Sequence, residues 1–341
     1  MQGGAERVIS ILSRHMIDQG FQVEIVLFLD REIFYEIDPR VKVTAVEKES
    51  RSTNILKNLI WLRRYFKKNA DLILSFLAPF NMIAQVAHFG LKSKIVVADR
   101  NDPRHIPKNP LLRAARNFLY RFADGVVLQT THNKAYFSKH VQKKSVVIGN
   151  PIDLGDKKGI GLSAEKQPEI VSVGRLKPQK NQAMLLRAFA KIAPDYPEYR
   201  LTIYGEGPER ENLEALAKQL GIFDKVFLPG AAKDVIDRIP SAELFVLPSD
   251  YEGMSNALIE AMCVGLPCIS TDVSGASDLI EPGKSGEIIP VGDTEALVCA
   301  MRKLLSDHKL ANEYAIAATA TNEKLEINKI LDEWIDSISS L

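Results

Sequence analysis

Short apolar runs alternate with longer amphipathic segments along most of the chain. The runs predict strands at Phe21–Leu27, Asp71–Phe76, Lys94–Ala98, Gly125–Leu128, Glu169–Gly174, Arg200–Tyr204, Val226–Leu228, Leu244–Leu247 and Pro267–Thr271. The segments between them predict helices at 5–18, 54–68, 80–90, 110–122, 131–139, 180–193, 208–219, 233–239, 255–264, 293–306 and 323–338. Alternation of this kind is typical of parallel, doubly wound α/β sheets.

The 341 residues favour about two domains over one. We predict two doubly wound, Rossmann-like domains facing a cleft, with an N-terminal domain over 1–150 and a C-terminal domain over 151–320. Residues 321–341 then form a separate C-terminal helix. The polar stretch 153–168, which follows Asn150-Pro151, is a candidate linker.

The start of the chain is unusual for this architecture. Gly3-Gly4 stands before the first helix as a turn after a strand would, yet no strand precedes it. The first strand of a doubly wound sheet is usually central, and its absence would leave buried backbone groups unpaired. We therefore expect the reading frame to begin roughly ten residues upstream, the length of a strand with its turn.

Composition favours a globular protein of the cytoplasm. Hydrophobic residues make up 46% of the chain, and no apolar run approaches the roughly 20 residues that span a bilayer. No secretory signal pattern follows Met1. The three cysteines lack metal-ligand spacing and are odd in number, which favours reduced thiols.

Charge divides the chain into two unlike halves. Residues 1–150 hold 24 Lys+Arg and 13 Asp+Glu, a net +11, whereas 151–341 hold 20 and 30, a net −10. Residues 51–150 alone hold 18 basic and 4 acidic side chains. This excess favours an anionic partner such as a phospholipid surface, a pyrophosphate-linked acceptor or nucleic acid; a solvated basic face without further function is the alternative.

The basic helix predicted over 54–68 contains Trp61 and is of the kind that docks on anionic membranes, although a helix that only covers a sheet has the same pattern. Further basic residues follow it: Arg104, Lys108, Arg113, Arg116 and Arg121. Nucleic acid is the least favoured partner, because no aromatic-interleaved platform or helix-turn-helix pattern is present.

Two carboxylates stand eight positions apart around a helix start. Glu252 lies in a glycine-bearing loop after a strand, and Glu260 lies more than a turn inside the helix that Ser255 caps and Gly265 ends. The free amides of a helix start suit an anionic ligand, and carboxylates accept hydrogen bonds from hydroxyls. Together they predict a nucleotide-sugar site.

Two further loops follow predicted strands. Arg175 and Lys180 flank the turn that begins at Gly174, where two cations would hold a diphosphate and stabilise it as a leaving group. Gly205 and Gly207 lie at another strand-to-helix junction, which suits a nucleotide-facing loop or a tight structural turn. The Gly3-Gly4 amides suit a phosphate or an acceptor, with a plain turn as the alternative.

These motifs occur in an order that resembles a known family. Gly-Gly-Ala-Glu-Arg (3–7), Asn-Pro-Ile-Asp (150–153), Gly-Arg-x4-Lys (174–180), Gly-x-Gly (205–207) and Glu-x7-Glu (252–260) together resemble the family 4 retaining glycosyltransferases of the GT-B fold. The resemblance covers nearly the whole chain. It is greatest to bacterial enzymes of capsular, exopolysaccharide or lipid-linked glycan synthesis, including N-acetylgalactosamine transferases.

The resemblance implies roles for individual residues. Arg175 and Lys180 would bind the donor diphosphate, and Glu252 would contact the donor sugar. The amides of Gly253, Met254, Ser255 and Asn256 would meet sugar and phosphate oxygens, and Glu260 would take the ribose hydroxyls. It implies no metal, no cofactor and no protein nucleophile, because the leaving phosphate accepts the acceptor's proton. It also implies that the last helix crosses back onto the first domain.

One segment departs from the family pattern. Many members have a histidine near the donor sugar after the strand that here ends near Ala98, but this chain continues Asp99-Arg100-Asn101-Asp102-Pro103. Arg100 and Asn101 are candidates to reach the cleft, and Asp102 is a candidate to position the acceptor hydroxyl. A simple turn, which Asn-Asp-Pro favours, is the alternative.

The sequence therefore predicts a cytoplasmic glycosyltransferase, peripheral at the inner face of the plasma membrane. It would move a sugar with retention from a nucleotide donor, a UDP-linked N-acetylhexosamine or hexose, to a lipid-pyrophosphate-linked or polysaccharide acceptor. Two alternatives stay open at this point. One is a nucleotide-sugar epimerase or phosphorylase of the same fold, and the other is a donor-binding protein with impaired transfer.

Overall fold

The structure is a computed structural model that describes residues 4–29, 33, 35–152, 154–232 and 234–341. Its contacts divide the chain into two compact units. Unit 1 comprises Met1–Pro151 together with Ile327–Leu341, and unit 2 comprises Ile152–Glu326.

The described part of unit 1 contains six strands, which form two parallel sheets. Numbered along the chain, they are β1 Glu24–Leu27, β2 Lys42–Ala45, β3 Leu72–Phe76, β4 Lys94–Asp99, β5 Gly125–Leu128 and β6 Ser145–Val147. Strands β3 to β6 form a four-stranded sheet in chain order, whereas β1 pairs only with β2. Its helices are α1 Gly4–Asp18, α2 Val46–Ser50, α3 Ile55–Asn69, α4 Ala78–His88, α5 Pro110–Leu119, α6 Thr131–Tyr136, α7 Lys139–Lys143 and α16 Ile327–Ser339.

Unit 2 is built on a six-stranded parallel sheet of β7 Gln167–Val173, β8 Arg200–Tyr204, β9 Val226–Gly230, β10 Ala242–Leu247, β11 Cys268–Thr271 and β12 Glu287–Ile289. Its helices are α8 Gln182–Ile192, α9 Arg210–Gln219, α10 Val235–Arg238, α11 Asn256–Val264, α12 Ala276–Leu279, α13 Thr294–Ser306, α14 His308–Ala318 and α15 Thr321–Lys324. The strand order is β9-β8-β7-β10-β11-β12. This is the doubly wound order, in which the winding reverses between the first and fourth strands.

The core of unit 2 explains why these strands read as apolar runs. Ile170, Leu201 and Leu244 on neighbouring strands are fully buried, and α8 and α13 pack Phe189 and Met301 against them. Helices cover both faces of such a sheet, so its strands need no polar side. The prediction of parallel α/β sheets is confirmed.

Several short elements were not predicted. Strands β2, β6 and β12 have three or four residues each, and their burial is only partial. Edge strands this short lack the apolar run by which central strands are found. The stretch 153–168 was proposed as a linker. Residue 153 lies outside the described residues, and 154–168 hold two 3-10 turns, with the Gly159 amide donating to the Cys263 carbonyl at 2.9 Å. They therefore pack as part of unit 2.

The C-terminal helix α16 lies within unit 1. Trp334 is fully buried, and its ring centroid lies 5.6 Å from that of Phe76 on β3. His15 of α1 lies 3.4 Å from Asp332 of α16.

The three cysteines are free thiols, and Cys263 and Cys268 are buried. Burial raises the pKa of Cys263 to about 12, so its thiol stays neutral. Within the described residues, no helix is both long and apolar enough to span a bilayer.

Candidate active site

The candidate donor site lies where the winding of the unit 2 sheet reverses. Strands β7 and β10 are parallel neighbours, with Val171 opposite Phe245. The loops that follow these strands, 174–181 and 248–255, therefore begin at the same edge of the sheet. In open α/β sheets this reversal point opens the crevice where ligands bind.

A salt bridge joins the two loops. Lys180 Nζ lies 2.5 Å from Glu252 Oε1, and the Ser249 hydroxyl donates to the same oxygen at 2.7 Å. Glu252 and Ser249 are buried, whereas Lys180 is half-buried. The charge-assisted hydrogen bonds keep this carboxylate oriented as an acceptor.

Three more hydrogen bonds connect the same loops. The Asp250 amide donates to the Gln179 carbonyl at 2.9 Å, and Gln179 Nε2 donates to the Tyr251 carbonyl at 2.8 Å. Asn181 Nδ2 donates to Asp250 Oδ1 at 2.7 Å. Sequence reasoning missed Gln179, Asn181, Ser249 and Asp250. The only signal for them was a polar cluster directly after each of the two strands.

Helix α11 points its N-terminus into this loop cluster. The Ser255 side chain accepts from the Leu258 amide, and Gly265 ends the helix in the left-handed region at φ +86°. Both predicted helix boundaries are thereby confirmed. Met254 and Ser255 are buried, and Gly253 and Asn256 are half-buried. The helix start presents the positive end of the helix dipole to the loops.

Glu260 lies inside α11, one turn past its start, and is half-buried. Tyr251 stands between Asp250 and Glu252 in the loop before the helix. Burial, together with these two carboxylates, raises the pKa of the Tyr251 hydroxyl. The hydroxyl therefore stays protonated at neutral pH.

Gly205 and Gly207 let the loop after β8 pack directly on the loop after β7. A Cβ at Gly205 would lie 1.9 Å from the Gly174 carbonyl oxygen, and one at Gly207 would lie 2.2 Å from the Leu176 carbonyl oxygen. The Leu176 amide donates to the Glu206 carbonyl at 3.0 Å. These glycines therefore hold the Gly174 turn in place, which is the structural role left open by the sequence.

Arg175 follows this turn, and its side chain is exposed beside Lys180 in the same loop. It makes no ion pair within the described part of the chain. The predicted cations thus differ in their surroundings, because Lys180 is engaged by Glu252 and Arg175 faces solvent.

The acceptor-side candidates lie in unit 1, after β4. Arg100 is buried, its guanidinium donates to the Ile148 carbonyl and to Asn150 Oδ1, and it lies 5.9 Å from the Trp334 ring. Burial lowers the pKa of Arg100 to about 9. The guanidinium is used within unit 1 to hold the end of β6 and helix α16.

Asn101 and Asp102 form a turn. Asp102 is buried and accepts from the Arg104 amide at 2.8 Å, and its Oδ2 lies 3.1 Å from His105 Nδ1. The Asn101 carbonyl accepts from Asn133 Nδ2 at 3.1 Å. These contacts are those of a simple turn, which the sequence favours as the alternative to a role at the acceptor. Gly4 begins α1, and Gly3 lies outside the described residues.

A buried network stands beneath that turn and was not predicted. Asp99 at the end of β4 is fully buried, with Oδ2 3.2 Å from the Tyr120 hydroxyl and 3.6 Å from Arg116 Nη1. Burial raises the pKa of Asp99 to about 6 despite the neighbouring guanidinium. Asn81 Nδ2 donates to the Tyr120 hydroxyl at 2.8 Å and ties α4 into the network.

Over the described ranges, no group of three or more His, Cys, Asp or Glu side chains is arranged to hold a metal ion. The arrangement in unit 2 offers instead two cations, a helix start and two carboxylates. These groups bind anions and hydroxyls, and none of them is an activated nucleophile.

Comparisons with known proteins identify the family of the chain. The family model for "Glycosyltransferase Family 4" matches residues 2–156, and that for "Glycosyl transferases group 1" matches residues 155–321. Together they account for most of the chain.

Two relatives come from Campylobacter jejuni subsp. jejuni serotype O:2. The chain is 29% identical to a "GalNAc-alpha-(1->4)-GalNAc-alpha-(1->3)-diNAcBac-PP-undecaprenol alpha-1,4-N-acetyl-D-galactosaminyltransferase" over 99% of this chain and 96% of the relative. It is 32% identical to an "N-acetylgalactosamine-N,N'-diacetylbacillosaminyl-diphospho-undecaprenol 4-alpha-N-acetylgalactosaminyltransferase" over 92% of this chain and 89% of the relative.

Solved structures share the fold. Anabaena Alr3699/HepE in complex with UDP has a TM-score of 0.83 at 20% identity, covering 99% of this chain and 97% of that one. The lipopolysaccharide outer core galactosyltransferase WaaB has a TM-score of 0.79 at 21% identity, covering 99% of this chain and 96% of that one.

The fold is therefore GT-B, and the protein is a glycosyltransferase. The chain belongs to the family 4 glycosyltransferases, together with bacterial enzymes of glycan assembly. The epimerase, phosphorylase and donor-binding alternatives are not favoured.

Proposed function

We propose that the protein transfers a sugar, with retention of its anomeric configuration, from a UDP-sugar to a lipid-pyrophosphate-linked saccharide. The observation that carries the proposal is the Lys180–Glu252 salt bridge, beside the start of α11, at the reversal point of the sheet. It brings a cation for the diphosphate and a carboxylate for the sugar hydroxyls into direct contact.

Each group then has a role that its chemistry allows. Lys180 and Arg175 bind the diphosphate and stabilise the negative charge that develops on it as it leaves. Glu252 accepts hydrogen bonds from the sugar, the amides of 253–256 bind sugar and phosphate oxygens, and Glu260 accepts from the ribose hydroxyls. The bond between the anomeric carbon and the phosphate oxygen breaks, and the acceptor oxygen bonds that carbon on the same face from which UDP leaves. The leaving phosphate oxygen takes the acceptor's proton.

The names of relatives support the choice of substrates. Both Campylobacter relatives are named for transfer of N-acetylgalactosamine to an undecaprenyl-diphosphate-linked saccharide. Anabaena HepE is described in complex with UDP and with UDP-glucose. A UDP-linked N-acetylhexosamine is therefore the first donor to test, and a UDP-hexose is the second.

The transfer is proposed to need no metal, since Lys180 and Arg175 are the two cationic side chains that we propose to bind the diphosphate. Activity unchanged by a chelator is the expected result, and restoration by Mg²⁺ after chelation would contradict it. We also propose that the enzyme works at the cytoplasmic face of a membrane, because a lipid-linked acceptor is held there.

The experiment combines donor binding and transfer. Each UDP-sugar of a panel is tested for a rise in unfolding temperature, because a ligand of the folded state stabilises it. The stabilising donor is then supplied with a synthetic lipid-pyrophosphate saccharide, and the anomeric configuration of the product is read by NMR.

The matched variants are Lys180→Met and Lys177→Met. Both lysines belong to the loop 174–181, but Lys177 is exposed. Lys180→Met should lower turnover by roughly 10²- to 10³-fold, the usual effect of losing one transition-state donor, and Lys177→Met should not. Equal turnover in the two variants, or an inverted product, would reject the proposal.

A further inference from the structure

Unit 1 exposes an aromatic cluster, defined here as Phe89, Phe118 and Phe122. The ring centroids of Phe89 and Phe122 lie 5.9 Å apart, and those of Phe118 and Phe122 lie 5.2 Å apart. The three residues are 64%, 58% and 49% exposed. Rings of this size are usually buried, and a contiguous exposed group of them marks an interaction surface.

The orientation of α5 makes this exposure a property of the fold. Arg116 is fully buried, and its guanidinium donates to the Ile106 carbonyl at 2.6 Å and to the Pro103 carbonyl at 2.8 Å. Arg113 donates to the Lys108 carbonyl at 3.0 Å. The charged side of this amphipathic helix therefore faces the protein, which is the reverse of the usual arrangement.

The apolar side of α5 faces outward as a result. Leu111, which is 77% exposed, lies seven residues before Phe118, and that spacing places both on one face of a helix. Phe122 continues the same line in the turn after α5. The exposed apolar surface thus extends from the start of α5 to the aromatic cluster.

Cations stand at the edge of the aromatic cluster. Arg63 of α3 donates to the Phe89 carbonyl at 2.6 Å, which fixes its guanidinium beside the backbone of Phe89. Arg121 is exposed and precedes Phe122 in the chain, and Lys144 Nζ donates to the Arg121 carbonyl at 2.7 Å. Asp124 Oδ1 lies 3.2 Å from Lys94 Nζ, so this acid is paired.

A cavity of about 350 Å³ opens beside the aromatic cluster. Phe89 and Phe122 line it together with Lys92, Lys94, Asp124, Gln85, His88 and Ser93. Gln85 Nε2 and Ser93 Oγ are buried and, among the described residues, have no hydrogen-bond partner. Asp124 pairs with Lys94, so Lys92 is the cation that this cavity adds to the edge of the aromatic cluster.

We infer that this surface docks on an anionic lipid bilayer. The aromatic cluster and Leu111 enter the boundary between headgroups and acyl chains, where aromatic rings are favoured. Arg63, Lys92 and Arg121 meet lipid phosphates around it. The excess of basic residues in 51–150, 18 against 4, favours an anionic membrane over an acid-poor protein partner.

The inference deepens the proposed function and rests on it only in placing the enzyme at a membrane. Its test needs neither donor nor acceptor. Failure of docking would leave the transfer reaction untouched, and failure of transfer would leave docking untouched.

The test measures binding of the full chain to vesicles of phosphatidylcholine, alone or mixed with phosphatidylglycerol. The variant is Phe89→Ser/Phe122→Ser. The matched control is Phe223→Ser/Phe227→Ser in unit 2, where the two rings are 44% and 47% exposed. We expect wild type and control to bind the mixed vesicles, and the cluster variant to bind them at least roughly tenfold more weakly, a loss of about 1.4 kcal/mol.

A second pair of substitutions tests the charges. Lys92→Gln/Arg121→Gln should weaken binding to mixed vesicles and abolish its dependence on salt. Should the aromatic variant alter the circular dichroism spectrum, Phe118→Ser replaces it as a single change at an exposed site. Wild-type binding by the cluster variant, equal binding to both vesicle types, or binding only to a protein partner would each overturn the inference.

Discussion

Lys180 and Glu252 are 72 positions apart in the chain, yet Lys180 Nζ donates to Glu252 Oε1 at 2.5 Å. Each residue comes from the loop that follows one of two adjacent parallel strands. The contact, together with the Ser249 hydroxyl, holds in one orientation the carboxylate that we propose to meet the sugar. Such preorganisation avoids reorganising the site during the reaction.

Ser249 is expected to position Glu252. Ser249→Ala removes the 2.7 Å hydrogen bond to Glu252 Oε1. Hydrogen bonds to charged groups contribute about 1.5–3 kcal/mol, so kcat/KM should fall by roughly tenfold or more. Ser306→Ala, which removes an exposed hydroxyl, is the control. Recovery of activity in Ser249→Thr would support positioning, whereas a lower Tm with unchanged kcat/KM would indicate a purely structural role.

Gly205→Ala should disrupt the donor loops. The added methyl would meet the Gly174 carbonyl oxygen at 1.9 Å, and backbone atoms cannot move aside as a side chain can. We expect a loss of about 3 kcal/mol in unfolding free energy and no donor-induced rise in Tm.

Gly221→Ala is the matched control for that change. Gly221 also has a positive φ, +70°, but open space surrounds its Cβ position. Its replacement should cost only about 1 kcal/mol through backbone strain and should leave donor binding intact. Equal losses in the two variants would show that strain, and not the contact with Gly174, explains the effect.

Asp99 should give stability a defined pH dependence. Its pKa is raised from 3.8 to about 6 in the folded protein, so the folded state keeps the proton over a range where the unfolded chain loses it. Asp99 therefore stabilises the fold below about pH 4, and this contribution is lost as the pH rises through about 6. The amide introduced by Asp99→Asn cannot ionise, so that variant lacks this dependence.

The measurement is urea unfolding of wild type and D99N at several pH values. The stability of wild type relative to D99N should fall by roughly 3 kcal/mol from pH 4 to pH 7, since about two pKa units correspond to that energy. Asp71→Asn, at an exposed position, should show no such trend. A constant difference for D99N would contradict a raised pKa.

Ser255→Ala tests whether the helix start that we propose to bind phosphate is also held by its cap. Loss of an N-cap costs about 1 kcal/mol. Asp307→Ala removes the equivalent cap of α14, where Asp307 Oδ1 accepts from the Leu310 amide at 2.9 Å. Both variants should lose similar stability by urea unfolding, but only Ser255→Ala should weaken UDP-sugar binding. Weakened binding in both variants would point to a global effect of destabilisation.

Local signals explain what could be predicted. Helix α11 begins after Ser255 and ends at Gly265 because of hydrogen bonds and dihedral preferences within a few residues. The apolar runs of β7 and β10 reflect burial on both faces of a sheet. The family motifs lie directly after such strands, so the donor residues could be named without coordinates.

Contacts between distant segments of the chain could not be predicted from such local signals. The sequence makes Arg100 a candidate to reach the cleft. In the structure its guanidinium instead contacts the chain at the end of β6 and Trp334 of α16. The sequence places Arg116 in a basic surface. In the structure Arg116 is buried, and its guanidinium donates to carbonyls of the preceding loop. Whether a cation is exposed or buried depends on partners that only the folded chain supplies.

The order of the longer elements, the ends of α11 and the candidate chemistry of the donor loops were determined by the sequence alone, because hydrophobic period, caps and turn residues act over short distances. The tertiary structure decided which loops meet. Only the order β9-β8-β7-β10-β11-β12 makes β7 and β10 neighbours and brings Lys180 to Glu252. It also decided that α5 turns its arginines inward and its leucine and phenylalanine outward, since the buried carbonyls of the preceding loop need donors more than the core needs those rings.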